Sequence, residues 1–378
     1  IIYILVISVN FENLKIVYLS DMEQNFVAKN AHPIKDNFIT RWQAPSNIAL
    51  IKYWGKTTPQ LPKNASLSFT LTHAVTQTQV EFKPLENPTE KVTFSIIFEG
   101  EEKSSFRPKL EDFFANILPY QPFLAHYKLT ITSQNTFPHS SGIASSASSM
   151  SALAACLVDL ESQLSSLSEE EKINKISFLA RLGSGSACRS TQGPMMAWGT
   201  HDSLSNSTDL FAVTAANIHP VFTDFCDAIL LIDKGQKQVS STLGHKLMHQ
   251  HPYAEQRFAQ ANAHLAELLP ILQQGDLDAF ISIVEKEALH LHAMMMTSDP
   301  YFILMQPNTL SVINKIWTFR KETGIPVCFT LDAGANVHVL YPNNVAEAVN
   351  QFIEAELLQF CQNRQCVHDK VGTGIKKY

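Results

Sequence analysis

The chain has 378 residues, of which 45% are hydrophobic and 17% charged, which is enough apolar content for about two folded domains. A formal net charge of -6, with no dense Lys/Arg tract, excludes a broad nucleic-acid-binding surface. The six cysteines form no CxxC pair, which argues against zinc and is typical of reduced thiols in a cytoplasmic protein. An anionic substrate must therefore be bound by a few placed cations.

The first predicted feature is an N-terminal extension over residues 1–37. Its opening run, IIYILVIS, is apolar but far shorter than the ~20 residues of a membrane-spanning helix, and no charged region or cleavage site of a signal peptide accompanies it. The chain starts at Ile1 and its first methionine is Met22. We interpret residues 1–21 as an upstream extension and expect the folded domain to start near Asn37. The alternative is a short edge strand added to a sheet.

Short β-rich segments and Ser-rich turns alternate in the first half of the chain. Residues 78–84, 91–98 and 127–133 are predicted to be strands. From Ile143 to Leu160 the apolar residues recur at steps of three and four, which predicts an amphipathic helix.

The second half carries longer helical patterns, at about residues 254–273, 276–296, 309–322 and 345–360. Gly324, with a proline two residues later, ends the third of these and leads into a predicted strand over residues 327–331. Because strands and helices mix in both halves, the predicted fold class is α+β, with domains over residues 38–218 and 219–378.

The first chemical motif is APSNIALIKYWGK, residues 44–56, in which Lys52 and Lys56 flank Tyr53 after a hydrophobic strand. Two lysines four residues apart on an irregular element can both point at one anion, and lysine binds phosphate as a point charge. The alternative is a solvated strand end with aromatic packing.

The strongest local motif is FPHSSGIASSASSMSALAA, residues 137–155. Gly142 permits a tight turn, and Ser145 and Ser146 fall at the start of the predicted helix. The N–H groups and partial positive charge of a helix start can bind phosphate, and serine hydroxyls there can coordinate a Mg²⁺ ion. A Ser-rich loop that caps a buried helix is the alternative. The Walker pattern GxxxxGK[ST] is absent.

A third motif, GSGSACRS, occupies residues 183–190. Its two glycines loosen the backbone, while Ser184 and Ser186 supply hydroxyls. Arg189 follows, and its planar guanidinium suits a carboxylate or a phosphate. A flexible surface turn is the alternative interpretation.

The fourth motif is LDAGANVHVLYP, residues 331–342, where Asp332 ends a predicted strand and Gly334 begins a loop or a helix. A carboxylate in this place can orient or deprotonate a hydroxyl group. As an isolated aspartate, it is also a candidate helix N-cap.

In combination, the four motifs resemble the GHMP superfamily of small-molecule kinases and, within it, the diphosphomevalonate decarboxylase family. Residues 44–56 are similar to the family's N-terminal signature, 137–148 to its phosphate loop, 183–190 to its substrate loop and 332–336 to its C-terminal catalytic segment. The segment VSSTLGH, residues 239–245, adds a weaker match. The resemblance extends from about residue 40 to residue 374.

The resemblance implies a two-domain fold, with an N-terminal domain like ribosomal S5 domain 2 and a ferredoxin-like C-terminal domain. It implies ATP-dependent decarboxylation of (R)-5-diphosphomevalonate to isopentenyl diphosphate, ADP, phosphate and CO2, in the mevalonate pathway. ATP is then the co-substrate and Mg²⁺ the metal cofactor. A cytoplasmic homodimer without nucleic-acid or membrane partners is also implied.

Roles for individual residues follow from the same resemblance. Asp332 would face the 3-hydroxyl of the substrate, and Lys52 would lie beside that hydroxyl and the arriving phosphoryl group. Arg189 and Ser184 would hold the substrate carboxylate. The residues implied to bind the substrate diphosphate are Tyr53, Lys56, Ser186 and Ser241. Those implied to bind ATP are Gly142, Ser145 and Ser146, with Ser146 also contacting Mg²⁺.

The chain departs from the family pattern at a few positions. His139 and Ser140 replace the usual Thr-Ala, Ala335 replaces a common proline, and His245 stands where the family often has methionine. A phosphomevalonate decarboxylase, a mevalonate 3-kinase that stops after phosphorylation, and a nucleotide-binding pseudoenzyme remain the alternative functions. His290 and His292 are expected to be core residues without an assigned role.

Overall fold

The computed structural model describes residues 3–7, 15–29, 33–138, 143–234 and 241–378. The elements of the first part of the chain are β1 (Tyr3–Ile7), β2 (Lys15–Leu19), α1 (Asp21–Gln24), β3 (Phe38–Ile51), β4 (Lys56–Thr57), β5 (Leu61–Pro62), β6 (Ser66–Pro84), β7 (Thr93–Phe98), β8 (Glu101–Glu102), α2 (Arg107–Ile117), β9 (Tyr127–Asn135), α3 (Ser145–Leu164), α4 (Glu169–Gly183), β10 (Met195–Trp198) and β11 (Val213–Thr214). Those of the second part are α5 (Pro220–Thr223), β12 (Phe225–Leu230), α6 (Ser241–Leu247), α7 (Ala254–Gln274), α8 (Leu277–Met296), α9 (Pro307–Thr323), β13 (Cys328–Leu331), β14 (Val337–Pro342), α10 (Ala346–Phe352), β15 (Cys366–Lys370) and β16 (Lys376–Lys377).

The first sheet has eight strands arranged around the long strand β6. The first half of β6 pairs with β10 and its second half with β9, while β3 runs along the opposite edge. Alternation of polar and apolar residues places Val80 and Phe82 in the core, as a half-buried strand requires. The helices α3 and α4 cover this face, where Leu157 and Phe178 join the same cluster.

The second sheet is antiparallel, in the order β13–β14–β12–β15. The helices α8 and α9 pack on it, so that Ala288 and Ile316 meet Phe329 and Val339 in one core. Four antiparallel strands packed against helices match the ferredoxin-like arrangement that the resemblance implied. The α+β fold class is therefore confirmed.

The two sheets share a hydrophobic core. Phe69 of the first sheet meets Phe225 of the second, together with Leu265 from α7 and Phe280 from α8. The expected boundary between residues 218 and 219 lies in the connection between β11 and α5. This domain boundary stays a prediction, because the shared hydrophobic core contains residues from both sides of it.

The end of the chain returns to the first sheet. Asp369, in β15, accepts the backbone N–H groups of Thr72, His73 and Ala74 at 2.9, 2.9 and 2.6 Å. Further along, β16 pairs antiparallel with β3. The first sheet is therefore completed by residues from the last strand of the chain.

Part of the predicted N-terminal extension packs on the first domain. Phe26 stacks on Phe178 with ring centroids 4.1 Å apart, and the Ala28 N–H donates to the Tyr120 carbonyl oxygen at 2.8 Å. The strands β1 and β2 pair with each other as a separate two-stranded sheet, so the described residues do not show an added edge strand of the main sheet. The packed region thus begins upstream of Asn37.

Most predicted helices and strands lie within a few residues of their predicted bounds, although the strand predicted at 78–84 is only the second part of β6. One predicted helix does not: residues 345–360 form the short helix α10, a π-helical turn over Ile353–Leu357 and a 3-10 turn over Leu358–Phe360.

Within the described parts of the chain, no helix combines the length and apolar character that a membrane crossing requires.

Candidate active site

A pair formed by a buried lysine and a partly exposed aspartate lies between the two sheets. Lys52 directly follows β3, and Asp332 directly follows β13. The Lys52 Nζ lies 3.4 Å from Asp332 Oδ1 and donates to the Ala49 carbonyl oxygen at 2.6 Å. Only 1% of the Lys52 side chain is exposed, against 29% for Asp332. Burial lowers the pKa of Lys52, and the charge of Asp332 opposes that shift.

The loop around Asp332 excludes its alternative role as a helix N-cap. The strands β13 and β14 are antiparallel neighbours, and the loop that joins them contains no helix. The Gly334 N–H donates to the Asp332 carbonyl oxygen at 2.7 Å within this turn. The loop thus holds the carboxylate beside Lys52.

Arg189 is the third charged group of the site and comes from the 3-10 helix Gly185–Ser190. Its side chain is buried, and its Nη1 donates to the Ser66 hydroxyl, while its Nε has no hydrogen-bond partner among the described residues. Burial lowers the pKa of Arg189, and Asp332 is close enough to act in the opposite direction. The alternative of a flexible surface turn is wrong, because most of this helix is buried.

Tyr53 packs between the lysine and the 3-10 helix. Its ring lies 4.7 Å from Trp198, and its buried hydroxyl has no partner within the described part of the chain. A Cβ atom on Gly185 would lie 2.7 Å from that hydroxyl, so only glycine fits. Since buried polar groups are normally paired, the free hydroxyl and the free Nε of Arg189 are groups that a bound ligand can satisfy.

His245, in α6, connects the loop after β3 to the second half of the chain. Its ring lies between those of Tyr53 and Trp54, with centroids 4.3 and 4.8 Å away. The Gly55 N–H donates to its Nδ1 at 3.0 Å. Burial lowers the pKa of His245 to about 3, so the ring is neutral at pH 7.

The candidate phosphate site lies at the start of α3. This helix begins at Ser145, as predicted, and its N-cap residue Ala144 supplies no capping side chain. Ser146 is exposed, and its Oγ lies 3.4 Å from the Oγ of Ser184 at the end of α4. Hydroxyl oxygens at a helix start suit both a phosphate and a hard cation such as Mg²⁺.

The remaining predicted residues are placed less completely. The half-buried Lys56 donates from Nζ to Gln60 Oε1 at 2.7 Å, and burial, followed by the charge of Lys246, lowers its pKa. Gly142 lies outside the described residues. The backbone of Ser241 begins α6, but its side chain also lies outside them.

This arrangement is suited to acid–base chemistry on a small anionic molecule. A carboxylate beside a buried ammonium can accept a proton from a hydroxyl held next to it. Arg189 adds positive charge near Asp332, Lys56 adds a second ammonium four residues after Lys52, and the α3 start adds N–H groups. Together these groups can hold two negatively charged reactants.

Comparisons with known proteins place the chain in a family. The profile of the diphosphomevalonate decarboxylase-like N-terminal domain matches residues 44–211, and that of the mevalonate 5-diphosphate decarboxylase C-terminal domain matches residues 228–376. The diphosphomevalonate decarboxylase of Ganoderma lucidum is 30% identical over 340 residues, which cover 84% of this chain and 81% of the relative. The chain belongs to the diphosphomevalonate decarboxylase family.

Other family members extend the similarity to solved structures. The Aspergillus fumigatus relative is 30% identical over 83% of this chain and 79% of its own. MDDEF in complex with MVAPP, AMPPCP and magnesium is 29% identical, with a TM-score of 0.77 over 91% of this chain and 99% of that chain. The mevalonate diphosphate decarboxylase from Staphylococcus aureus is 29% identical, with a TM-score of 0.78 over 92% and 100% of the two chains. The predicted two-domain fold is confirmed.

The structure brings the residues that the family resemblance implied into two groups. Lys52, Asp332 and Arg189 interact electrostatically, Tyr53 packs beside Arg189, and Ser146 meets Ser184. Their individual roles stay predictions, since no ligand contact tests them.

Motif reasoning missed Glu287, which lies in α8. Its Oε2 accepts the Lys52 backbone N–H at 2.9 Å and the Arg257 Nη2–H at 2.6 Å, and its Oε1 lies 2.6 Å from His264 Nδ1. The sequence does contain a signal. Residues 284, 288 and 291 are apolar and share one face of this helix, and Glu287 is a charged residue on the same face.

The same cluster brings potential metal ligands together. Ligand atoms of His264, Glu287 and His290 lie within 4.8 Å of one another. Both carboxylate oxygens of Glu287 are already occupied, one of them by the cationic Arg257. We therefore interpret the cluster as a buried ion-pair network.

The sequence motifs also did not predict the hydrogen bonds that hold the 3-10 helix Gly185–Ser190 in place. Asn47, in β3, donates from Nδ2 to the Ser186 carbonyl oxygen at 3.2 Å and to the Ser190 hydroxyl at 2.7 Å. This asparagine belongs to the first motif, but nothing in its spacing points to the third. The contact requires the folded structure to bring the two motifs together.

Proposed function

We propose that the chain catalyses the ATP-dependent decarboxylation of (R)-5-diphosphomevalonate to isopentenyl diphosphate, ADP, phosphate and CO2, a step of isoprenoid biosynthesis by the mevalonate pathway. The observation that carries the proposal is the 3.4 Å contact between the buried Lys52 and Asp332, with Arg189 nearby, in a chain of this family. Each of these three side chains has a task in the reaction.

The first task is phosphorylation of the tertiary alcohol, which is otherwise a poor leaving group. Asp332 accepts the proton of the substrate 3-hydroxyl while the oxygen of that hydroxyl takes the γ-phosphoryl group of ATP and ADP leaves. Lys52 compensates the negative charge that gathers on the transferred group, because phosphoryl transfer depends mainly on positioning and charge neutralisation. The 3.4 Å distance between Lys52 Nζ and Asp332 Oδ1 supports this assignment, because two groups so close can both act on one hydroxyl.

The second task is fragmentation of the phosphorylated substrate. The C3–O bond breaks and inorganic phosphate leaves with its electron pair. The bond between the carboxylate carbon and C2 then supplies the electrons of the new double bond, and CO2 departs. Arg189, with Ser184, holds the carboxylate in line with the breaking bond, which is the orientation that this step needs. The free Arg189 Nε is available for that contact within the described residues.

Residues at the start of α3 also fit a nucleotide and a metal ion. The exposed Ser146 hydroxyl, at a helix start without a capping side chain, offers oxygen and N–H groups to the phosphates of ATP. Ser145 and Ser146 would hold ATP, and Ser146 would contact Mg²⁺, which neutralises phosphate charge when bound. Tyr53, Lys56, Ser186 and Ser241 would hold the substrate diphosphate.

The test is a product balance with the purified chain. Incubation with ATP, Mg²⁺ and (R)-5-diphosphomevalonate is expected to release ADP and CO2 in equal amounts. ADP without CO2 would identify a 3-kinase instead, and CO2 only from the monophosphate would identify a phosphomevalonate decarboxylase. Nucleotide binding without any turnover would identify a pseudoenzyme, although Lys52, Arg189 and Asp332 are all in place.

Assembly and location are proposed on the family resemblance alone. We expect a homodimer in the cytoplasm. Analytical ultracentrifugation would test the dimer, and imaging of the tagged chain in its own cell would test the location.

A further inference from the structure

The helix α8 contacts the backbone on both sides of the catalytic pair. It packs against β3, which ends before Lys52, and against β13, which ends before Asp332. One α8 side chain, Glu287, bonds the backbone of Lys52, and another, His292, bonds the backbone of Asp332. The two contacts lie five residues apart on one helix.

The first contact is a fully buried charge network. Glu287 is 0% exposed, and it accepts the Lys52 N–H at 2.9 Å while Arg257 and His264 bond its two oxygens at 2.6 Å. Burial opposes the charge of this carboxylate, but hydrogen bonds from His264 and Arg257 hold its pKa below the usual value. The carboxylate is thus ionised and fixed, so it holds the Lys52 backbone in one place.

The second contact is a single directed hydrogen bond. His292 is 1% exposed, and its Nε2 lies 3.1 Å from the Asp332 carbonyl oxygen. A carbonyl oxygen only accepts, so the Nε2 must carry the hydrogen. Burial lowers the pKa of His292 to about 4, so the ring donates as a neutral imidazole at pH 7.

We propose that Glu287 and His292 are positioning residues that together set the separation and direction of Lys52 and Asp332. The reacting pair bridges two sheets, so its geometry depends on how those sheets are placed. A helix that bonds the backbone beside each member fixes that geometry directly. The inference rests on the proposed function, in which a displacement of about 1 Å can cost about a hundredfold in rate.

The experiment compares two substitutions at one position. His292→Gln keeps an N–H donor near the position of Nε2, whereas His292→Met has a similar size and no donor. We expect kcat to fall about 10- to 100-fold in His292→Met, with KM for ATP and for diphosphomevalonate changed less than about threefold, and to recover in His292→Gln. Lys286→Met, at an exposed position on α8 away from both contacts, is the control and is expected to keep the parent kcat.

A second variant tests the Glu287 contact without leaving a buried charge alone. Because Glu287→Gln would strand the cationic Arg257, the double variant Glu287→Met/Arg257→Met removes both members of the pair. We expect it to melt as a cooperative protein and to show the same loss of kcat with little change in KM. Parent-like kcat in a folded double variant would overturn the Glu287 role.

Crystal structures of the parent and of both His292 variants make the inference independent of the reaction. We expect the Lys52 Nζ–Asp332 Oδ1 distance to change by about 0.5 Å or more in His292→Met and to be restored in His292→Gln. An unchanged distance, or equal kcat in the two variants, would overturn the inference. A parent chain that releases no CO2 would overturn the proposed function instead, while the distances would still decide the positioning role.

Discussion

At the scale of single residues, the site depends on pairing across a long sequence separation. Lys52 and Asp332 come from the first and fourth motifs and meet in the fold at 3.4 Å. Lys52 is nearly excluded from solvent, so its charge acts in a medium that screens poorly. The carboxylate is more exposed, which leaves it accessible to a hydroxyl of the substrate.

Asp332→Asn is expected to separate catalysis from binding. The amide keeps the size of the carboxylate but accepts no proton and supplies no charge beside Lys52. We expect both substrates to bind with nearly unchanged affinity while kcat falls ~100- to 10,000-fold, the usual range for a lost acid–base group. Calorimetry and steady-state kinetics measure the two effects. A fall of less than about fivefold, with melting unchanged, would show that Asp332 is not the base.

The burial of His245 predicts that the free energy of unfolding depends on pH. Burial lowers the pKa of this ring to about 3 in the folded chain, against 6.5 in the unfolded chain. Below pH 6.5 the unfolded state therefore binds a proton that the folded state does not, so stability falls as the pH falls. The expected loss from this one group is about 2 kcal/mol between pH 7 and pH 5.

The measurement is urea unfolding at several pH values. His245→Met lacks the titrating ring, so its free energy of unfolding is expected to fall by about 2 kcal/mol less than that of the parent over the same range. An equal slope in parent and variant would show that His245 is protonated in the folded state. A lower stability of the variant at pH 7 alone does not affect this comparison.

At the scale of elements, α3 supplies the candidate nucleotide site. Its small residues, among them Ala147 and Ala154, allow it to pack closely against β3. Its start carries the exposed Ser146, and the N-cap residue Ala144 supplies no capping side chain. The helix thus contributes to the core along its length and presents a hydroxyl at its N-terminus.

Ser146→Ala is expected to raise KM for ATP about tenfold, since one oxygen for phosphate and Mg²⁺ is lost at the helix start. Affinity for diphosphomevalonate, measured by calorimetry without nucleotide, is expected to change less. Ser149→Ala, one turn later in the same helix, is a suitable control because its hydroxyl bonds the Ser145 carbonyl oxygen. Weaker substrate binding with unchanged ATP kinetics would reverse the assignment of the two loops.

The N-terminal segment divides into two parts with different expected effects. Removal of residues 1–19 is expected to leave the melting temperature and activity nearly unchanged, because β1 and β2 pair with each other and not with the main sheet. Phe26→Ala is expected to cost about 3 kcal/mol of unfolding free energy, since it leaves a cavity against Phe178. Melting curves compare the two. A large loss on removal of 1–19 would contradict this division.

The sequence predicts elements well where one period dominates. The helix predicted over 254–273 corresponds to α7 at Ala254–Gln274, because its apolar residues keep a helical spacing throughout. The prediction over 345–360 fails after Phe352, where π and 3-10 turns replace the α-helix without a sequence breaker. Contacts such as the Glu287–Lys52 bond could not be predicted, since they depend on how two distant elements pack.

At the scale of the whole molecule, the two sheets are joined by a shared core and by Asp369. Its carboxylate accepts three consecutive N–H groups of the first sheet, so Asp369→Asn would place an amide donor against a donor. We expect a loss of about 2–4 kcal/mol in unfolding free energy, measured by urea denaturation. His368→Asn, exposed beside it, is the control and is expected to change stability by less than about 0.5 kcal/mol. Equal losses of stability in Asp369→Asn and His368→Asn would show that the Asp369 contact does not stabilise the fold.

The pairing of β16 with β3 has a consequence for how the protein is made. The residues of the first sheet are synthesised long before Lys376 and Lys377, so the sheet lacks β16 until the ribosome has passed those two residues. The first half of a growing chain therefore cannot complete this edge, and a chain that stops before Lys376 never does. Translation through Lys377 is thus a condition for a complete first sheet, which makes β16 a poor place for a truncation.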